Sequence, residues 1–591
     1  VVALNAPLPP LPALNRPAQR LGSVLAGLEG YDMSKPWAPA YQQNDKAYQT
    51  AVKYSADKLP LWTKAFYGGT VVYPATYAAT IFDAFGPASN SRHVTGGLAF
   101  RPDMGRCSLQ GAAAGIGDMS TCSGKRGEGY AAILMPDVFI GWEQTSPLAY
   151  TFTVRKGVMW PNIPPMARAD REVTAPELVD FYVEQKKRGS IKDTLVLIDK
   201  IEAVDKYTIR MTLTTPQADF LRVLANRALT VVPRECFDKT ACADKNILIS
   251  PGPFIITEVV LRERIVLVKN QEWHLKGAPW ADRIEALLSL TDGATQKAAF
   301  VTGKIDHYNT TVLSEAEAIM KQVPGAQNHA FSAGTGVVHY RVRLQGPLAD
   351  VRVRRALARA VDFPALWQLT SEGNVYGGGL ISYEFLGRGV PISAADMGEN
   401  YKYDPATAKR LLTEAGYPDG FALEVMTSST SGGTYDINVV LQDYWKRNLN
   451  VEVKILIIPS GSNPLRSKTW NGLIQQGSVG PGGATLDIDT TLLQFVKGAA
   501  NNLQEMDDPV LTDLYRQQQG ELDPVKRRAM LWQFEQRVHD QVWWMFFGSN
   551  LTNWMQQPWE MNAVSHLYGF SNGLNAASWT YMIDPSKGFK R

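Results

Sequence analysis

Between Asp350 and Trp367 the chain reads DVRVRRALARAVDFPALW, with Val353, Leu357 and Val361 recurring every fourth residue and Arg352, Arg354, Arg355 and Arg359 on the other faces. That spacing predicts an amphipathic helix capped by Asp350, which ends where Asp362 and Pro364 open a second one. DPATAKRLLTEAG, Asp404 to Gly416, gives the same reading: an aspartate cap, a first-turn proline, Ala408, Leu411, Leu412 and Ala415 on one face, and a terminating glycine. Cap-and-proline starts also predict helices over Thr174–Lys187 and Asp523–Asp540, and helices are expected over Ser314–Gln322 and Ile437–Arg447. Period-two alternation marks strands. Tyr150, Phe152 and Val154 alternate with Thr151, Thr153 and Arg155 before a Lys-Gly turn, so Gly141–Asn162 reads as a hairpin. Two strands are expected in Ile201–Thr215, a hairpin in Pro251–Gly277 returning over Ile265–Lys269, and single strands over Tyr67–Thr76, Val337–Val342, Leu423–Thr427 and Val451–Ile458. Val542–Phe547, VWWMFF, is apolar at every position, as a central strand buried on both faces would be.

At 591 residues the chain exceeds a single core, and two to four domains are expected. Apolar residues make up 45% and charged residues 20%, a globular composition, and no apolar run reaches the roughly 18 residues of a membrane span. Sixty basic residues nearly balance 57 acidic ones without a sustained cluster, which argues against a nucleic-acid partner. Fifteen Trp, 23 Tyr and 21 Phe supply faces on which rings and sugars could stack, although most are expected in the core. The four cysteines fall into two close pairs, Cys107 with Cys122 and Cys236 with Cys242, without CxxC or histidines at zinc-ligand spacing. Two local disulfides and an oxidising compartment are expected. The proline-rich opening VVALNAPLPPLPALNRP carries no signal peptide, and is read either as a tether behind a removed leader and lipid anchor or as a frayed terminus.

Several segments together resemble the extracellular solute-binding proteins of family 5, which serve peptide-class ABC importers. The arginine helix is similar to the family's D-V-R-V-R-x-A-L pattern, and GWEQTSPLAYTFTVRKGVMW to its W-E…Y-T-F-x-L-R-x-G-V-x-W. PGPFIITE…RIVLVKNQEW and YDPATAKRLLTEAGYPDG match two further motifs, the latter almost residue for residue. The chain departs after Trp160, where IPPMARADREV lengthens a short turn. The resemblance implies an α/β, two-lobed periplasmic-binding-protein-like fold of type II, with a small extra domain in lobe one. The expected division is a tether and lobe-one edge over 1–66, lobe one over 67–308 with the insertion at about 95–200, lobe two over 309–547, and a return to lobe one over 548–591. It further implies a monomer that captures a peptide-like or oligosaccharide solute at the outer face of the membrane or in the periplasm, and delivers it to a permease and ATPase complex.

The same resemblance places Tyr73, Tyr77 and Tyr376 near the ligand cleft, and matches Asp487 and Asp489 to the ends of the family's D-P-D. Peptide-binding members carry another aspartate three residues earlier that pairs with the peptide's ammonium; Ala484 stands there. An ammonium buried without its carboxylate costs about 3–5 kcal/mol, so a peptide N-terminus is not expected to be bound in the usual way. Trp470 offers a stacking face, or simply packs at a strand start. No phosphate loop, GxSxG elbow or HExxH occurs, and the seven histidines show no i, i+4 pairing, so neither cofactor nor metal is expected. The enzymatic alternative is a glycan hydrolase in which Asp487 and Asp489, on one face at strand spacing, serve as acid and base. A surface sensory or adhesion module of the same fold is the other alternative.

Overall fold

The computed structural model describes residues 68–75, 82–85, 99–102, 134–166, 171–274, 279–290, 292–372, 375–376, 378–381, 386, 395–427, 433–458, 464–476, 488–499, 502–561 and 582–583. Cys107, Cys122, Tyr77, Ala484 and Asp487 lie outside these residues, as does the proline-rich opening.

The first lobe is built on a four-stranded sheet of order β1 (Thr70–Pro74), β10 (Arg283–Leu287), β9 (Arg264–Lys269) and β8 (Phe254–Val260). β1 runs parallel to β10 and the other pairs are antiparallel. Gly68 and Gly69 enter β1 at φ 104° and 83°, left-handed backbone that side chains resist, which releases the Val71–Tyr73 run into the core.

Between β1 and β8 in the chain lies a second four-stranded sheet, β4 (Phe139–Ser146), β5 (Ala149–Val154), β7 (Thr208–Leu213) and β6 (Ile198–Asp205). Tyr150, Phe152 and Val154 point inward as their alternation predicts. The Ala175–Arg188 helix covers this sheet with Leu178, Phe181 and Tyr182. Glu177 Oε2 accepts from the backbone N and Oγ1 of Thr174 at 3.3 and 3.2 Å, tying down the helix start. Cys236 and Cys242 form a disulfide with Cα atoms 5.2 Å apart.

The second lobe rests on a seven-stranded sheet ordered β11 (His307–Thr310), β17 (Trp544–Gln556), β12 (Gln327–Val342), β16 (Leu473–Gln476), β14 (Ala422–Thr427) and β15 (Glu452–Ile457), with β13 (Val375–Tyr376) on β17. β14 is parallel to β15 and β16. Two short pairs, β2 (Phe100–Pro102) with β3 (Leu134–Pro136) and β18 (Glu560–Met561) with β19 (Met582–Ile583), complete the described strands.

β12 and β17 are longer than their apolar cores. They pair from Gln327↔Gln556 to Arg341↔Trp544, with register shifts around Val337. At one end, the Leu313–Gln322 helix packs Ala316, Ile319 and Val323 against Val72, Phe300 and Ile305 of the first lobe. At the other, Trp544–Phe547 are buried on both faces, and Val542 instead closes the preceding helix in left-handed backbone at φ 49°. These two strands join the lobes.

The signature helix spans Val351–Arg359, its Asp350 cap accepting from Arg352 N at 2.8 Å. Val353, Leu357 and Val361 are buried as expected, and so is Arg354. Its guanidinium donates to the carbonyls of Leu348, Ala349 and Gln541, each at 2.9 Å. Arg355 pairs with Asp540. The arginines therefore fasten this helix to the end of the Pro524–Gln541 helix.

Candidate functional site

Asp489 is the sequence-derived candidate around which the structure builds most. Ile488 has helical backbone (φ −80°, ψ −25°), and Asp489 opens a one-turn helix, Asp489–Leu492. The strand spacing expected to put Asp487 and Asp489 on one face is therefore not adopted at Ile488. Asp489 turns into the interior with no exposed surface. Its Oδ1 accepts from Gln518 Nε2 at 2.7 Å, and its Oδ2 from Gln217 Nε2 and Gln519 Nε2 at 3.1 Å each.

A second buried carboxylate, which sequence reasoning missed, lies beside it. Asp219 receives both Arg527 nitrogens, Nη1 at 2.9 Å and Nη2 at 2.7 Å, together with Arg222 Nη1 and the Ile488 backbone N at 3.1 Å. Burial by itself would raise the Asp219 pKa, but the Arg527 and Arg222 charges outweigh it and hold the carboxyl well below the usual range. Asp489 moves the other way: burial, then the neighbouring Asp219 charge, raise its proton affinity. Nothing local in the sequence marks this cluster, because Gln217 and Asp219 meet partners 272 and 308 positions away.

This geometry bears on the hydrolytic alternative. A general acid or base must reach the atom whose proton it moves. The Asp489 oxygens are sealed from solvent and occupied by three amide donors, an arrangement that holds the segment in place.

The remaining candidates fall in three places. Tyr73, on β1, is fully buried and stacks on His307 at 5.2 Å; His307 stacks in turn on Trp554 of β17 at 4.5 Å and faces Glu560 Oε1 at 3.2 Å. Tyr73 thus sits in the packing where first-lobe strands meet the crossing strands. Tyr376 pairs with Ser549 of β17. The segment after it is anchored by Glu535, a fully buried residue that accepts from Leu380 N at 2.8 Å and Ile381 N at 2.7 Å. Trp470 lies in a separate apolar cluster with Leu465 and Ile474, and Arg343 sits 5.7 Å from its ring centre. Its indole N–H is buried and meets no acceptor among the described residues. A cavity of about 530 Å³ opens beside the Asp219 segment, lined by Gln144, Tyr150, Gln217, Phe220, Leu522 and Asp523. Among the described residues no cluster of His, Cys, Asp or Glu is arranged to hold a metal, and no helix is long and apolar enough to cross a membrane.

Two lobes on separate sheets, two crossing strands and a small inserted domain define a two-lobed periplasmic-binding-protein fold of type II. The chain belongs to the bacterial extracellular solute-binding proteins, family 5, whose middle region matches residues 134–502. It is similar to the periplasmic murein peptide-binding protein MppA of Escherichia coli, 24% identical over an alignment covering 54% of this chain and 62% of that protein. It is also similar to heme-binding protein A of Haemophilus influenzae, 25% identical over 69% of this chain and 78% of that one. Among solved structures, the periplasmic binding protein DppA from Helicobacter pylori, in complex with the peptide STSA, superposes with a TM-score of 0.70. That match covers 88% of this chain and 99% of that one at 19% identity.

Proposed function

We propose that this protein is the substrate-binding protein of an ABC importer, capturing a medium-sized solute between its lobes in the periplasm and passing it to a permease and ATPase complex. The observation that carries this reading is the two-strand connection between lobes. Such a joint permits rigid-body closure, and a ligand touching both lobes stabilises the closed form by its differential affinity for it. The relatives' names support the class, and their spread from murein peptide to heme leaves the solute to be read from this chain's own residues.

The proposed lobe-two wall comprises Tyr376 and Asp487, backed by the buried Trp470 and by Asp489; Tyr77 supplies the lobe-one side, and the buried Tyr73 supports β1 from within. The proposed lobe division is 67–308 and 309–547 with a return over 548–591, the Leu313–Gln322 helix at the crossing packing on the first lobe. Ala484 at the place of the usual ammonium partner favours an oligosaccharide, or a peptide-like solute held without that ion pair.

Native mass spectrometry of the protein as purified, followed by denaturing release of what it holds, tests the reading. A single saccharide or other non-peptide species is expected. A co-purified peptide series would overturn the inference from Ala484 while leaving transport standing. Conversion of a bound glycan by the purified protein would overturn the binding-protein reading itself.

A further inference from the structure

The Asp219 cluster joins pieces that belong to different lobes. Asp219 precedes the Phe220–Leu224 helix, and Phe220 packs on Tyr150 and Phe152 of the small sheet with ring centres 4.9 and 6.2 Å apart. The segment is therefore fixed to the inserted domain. Arg527 lies near the start of the Pro524–Gln541 helix, which runs into β17 and is fastened to the signature helix by Arg354 and Arg355. It is fixed to the second lobe.

Every polar contact described between these pieces crosses the same seam. Arg527 clasps Asp219 with two nitrogens, Gln217 Nε2 donates to Asp489, Ile488 N donates to Asp219, and Ala218 N donates to Gln519 O at 2.8 Å. Thr194 and Thr490 hydroxyls meet alongside at 3.4 Å. The central pair is sealed, the side chain of Asp219 having no exposed surface and that of Arg527 only 11%, while the cavity of about 530 Å³ opens at the seam's edge beside Gln217 and Asp523.

We propose that Asp219 and Arg527 form a latch between the inserted domain and the second lobe, made only when the lobes are closed. The proposal rests on the lobe-closure reading above. When the lobes part, these bonds break together and both charges regain water. When they close, a carboxylate meets a forked guanidinium with its remaining acceptors satisfied, the geometry in which a buried pair offsets its desolvation. An interaction formed in one state alone shifts the population toward that state whatever the ligand. The latch gives the inserted domain, which lies apart from the crossing strands, a part in setting how readily the receptor closes. Through Ile488 it also positions the segment that carries Asp489.

The test is single-molecule energy transfer between dyes on p-acetylphenylalanine introduced at the exposed positions Lys200, on the small sheet, and Arg447, on the second lobe. Wild type, Asp219→Asn and Gln217→Ala are compared as purified and after denaturing removal of bound material and refolding. Asp219→Asn leaves two guanidiniums facing an amide in the closed form and hydrates them in the open one, so the closed-to-open ratio is expected to fall on the order of a hundredfold. Gln217→Ala removes one seam bond without stranding a charge; a fall of several-fold is expected. Should Asp219→Asn fail to fold, the Gln217→Ala ratio decides. Closed fractions that match wild type in both variants, or in Gln217→Ala alone where the other does not fold, would overturn the latch. So would a wild type with no closed population in either preparation. A closed fraction that rises with bound material yet ignores both variants would discard the latch and leave the proposed function intact.

Discussion

Arg354 and Arg355 are adjacent in the same motif, yet the structure assigns them very different energetic weight. Arg354 is 3% exposed and its guanidinium donates to three carbonyls, two just before its own helix and one, Gln541, at the end of the Pro524–Gln541 helix. Burial first, then the Arg355 charge, bring its pKa down to about 10, so it stays charged at neutral pH. Replacing it by Met keeps most of the aliphatic volume but orphans three acceptors. Each bond from a charged donor contributes about 1.5–3 kcal/mol, and relief of the buried charge returns part of the sum, leaving a net loss of about 3 kcal/mol. Arg355 also reaches across, to Asp540, but the two side chains are 28% and 51% exposed, so Arg355→Met should cost less than about 1 kcal/mol. Guanidinium chloride unfolding followed by tryptophan fluorescence, with unchanged m-values, measures both. Equal losses in the two variants, or an Arg354→Met loss below about 1 kcal/mol, would refute this account of the helix as a fastening.

Three further outcomes are expected. Gly420 has φ +80°, and a Cβ there would press into the Asn450 carbonyl, so Gly420→Ala should lose more than about 2 kcal/mol in the same unfolding assay. Replacing Cys236 and Cys242 together by Ser opens a loop with a sequence separation of 6, and should lower stability by about 2 kcal/mol in the chain-entropy account, with the melting temperature as readout. Asp219 has a folded pKa depressed below 3.8, so its contribution is fully present above that value and is lost as pH falls below it. Stability measured from pH 6 down to 2 should therefore fall less steeply in Asp219→Asn than in wild type, from a lower starting value.

Helices were legible where the determinants are local. Pro405–Glu414 and Pro524–Gln541 form within a residue or two of their sequence limits, because an aspartate cap and a first-turn proline specify the start without tertiary help. The helix Pro509–Gly520 went unread although it has the same start. Its inward face carries Gln518 and Gln519 beside Leu511, Leu514 and Tyr515, and the two glutamines that blur the apolar stripe are the ones that bind Asp489. β17 was read only as far as Phe547 because its continuation through Ser549, Asn550 and Asn553 is polar. Those residues are strand because β12 on one side, and β13 or β11 on the other, supply the ladder. The candidate site divides in the same way: Asp489 could be singled out from a motif, whereas Asp219 and Arg527 come together only through the fold.

The chemistry around Asp489 shows how the fold holds a carboxylate that has no exposed surface. Its partners are three amide groups, all presenting N–H, which suits an acceptor-only carboxylate even as burial and the nearby Asp219 raise its proton affinity. An ammonium seeking this carboxylate would have to displace amides fixed on two different segments and enter a site that already holds Arg527 and Arg222 within reach of the neighbouring Asp219. The neighbouring charges oppose one another, Asp219 raising the proton affinity of Asp489 and Arg527 lowering it, so what keeps a cation from this carboxylate is its burial and its three amide partners. Asp489 is thus saturated by the fold itself, and it ties the Asp489–Leu492 turn to Gln217 on one side and to Gln518 and Gln519 on the other.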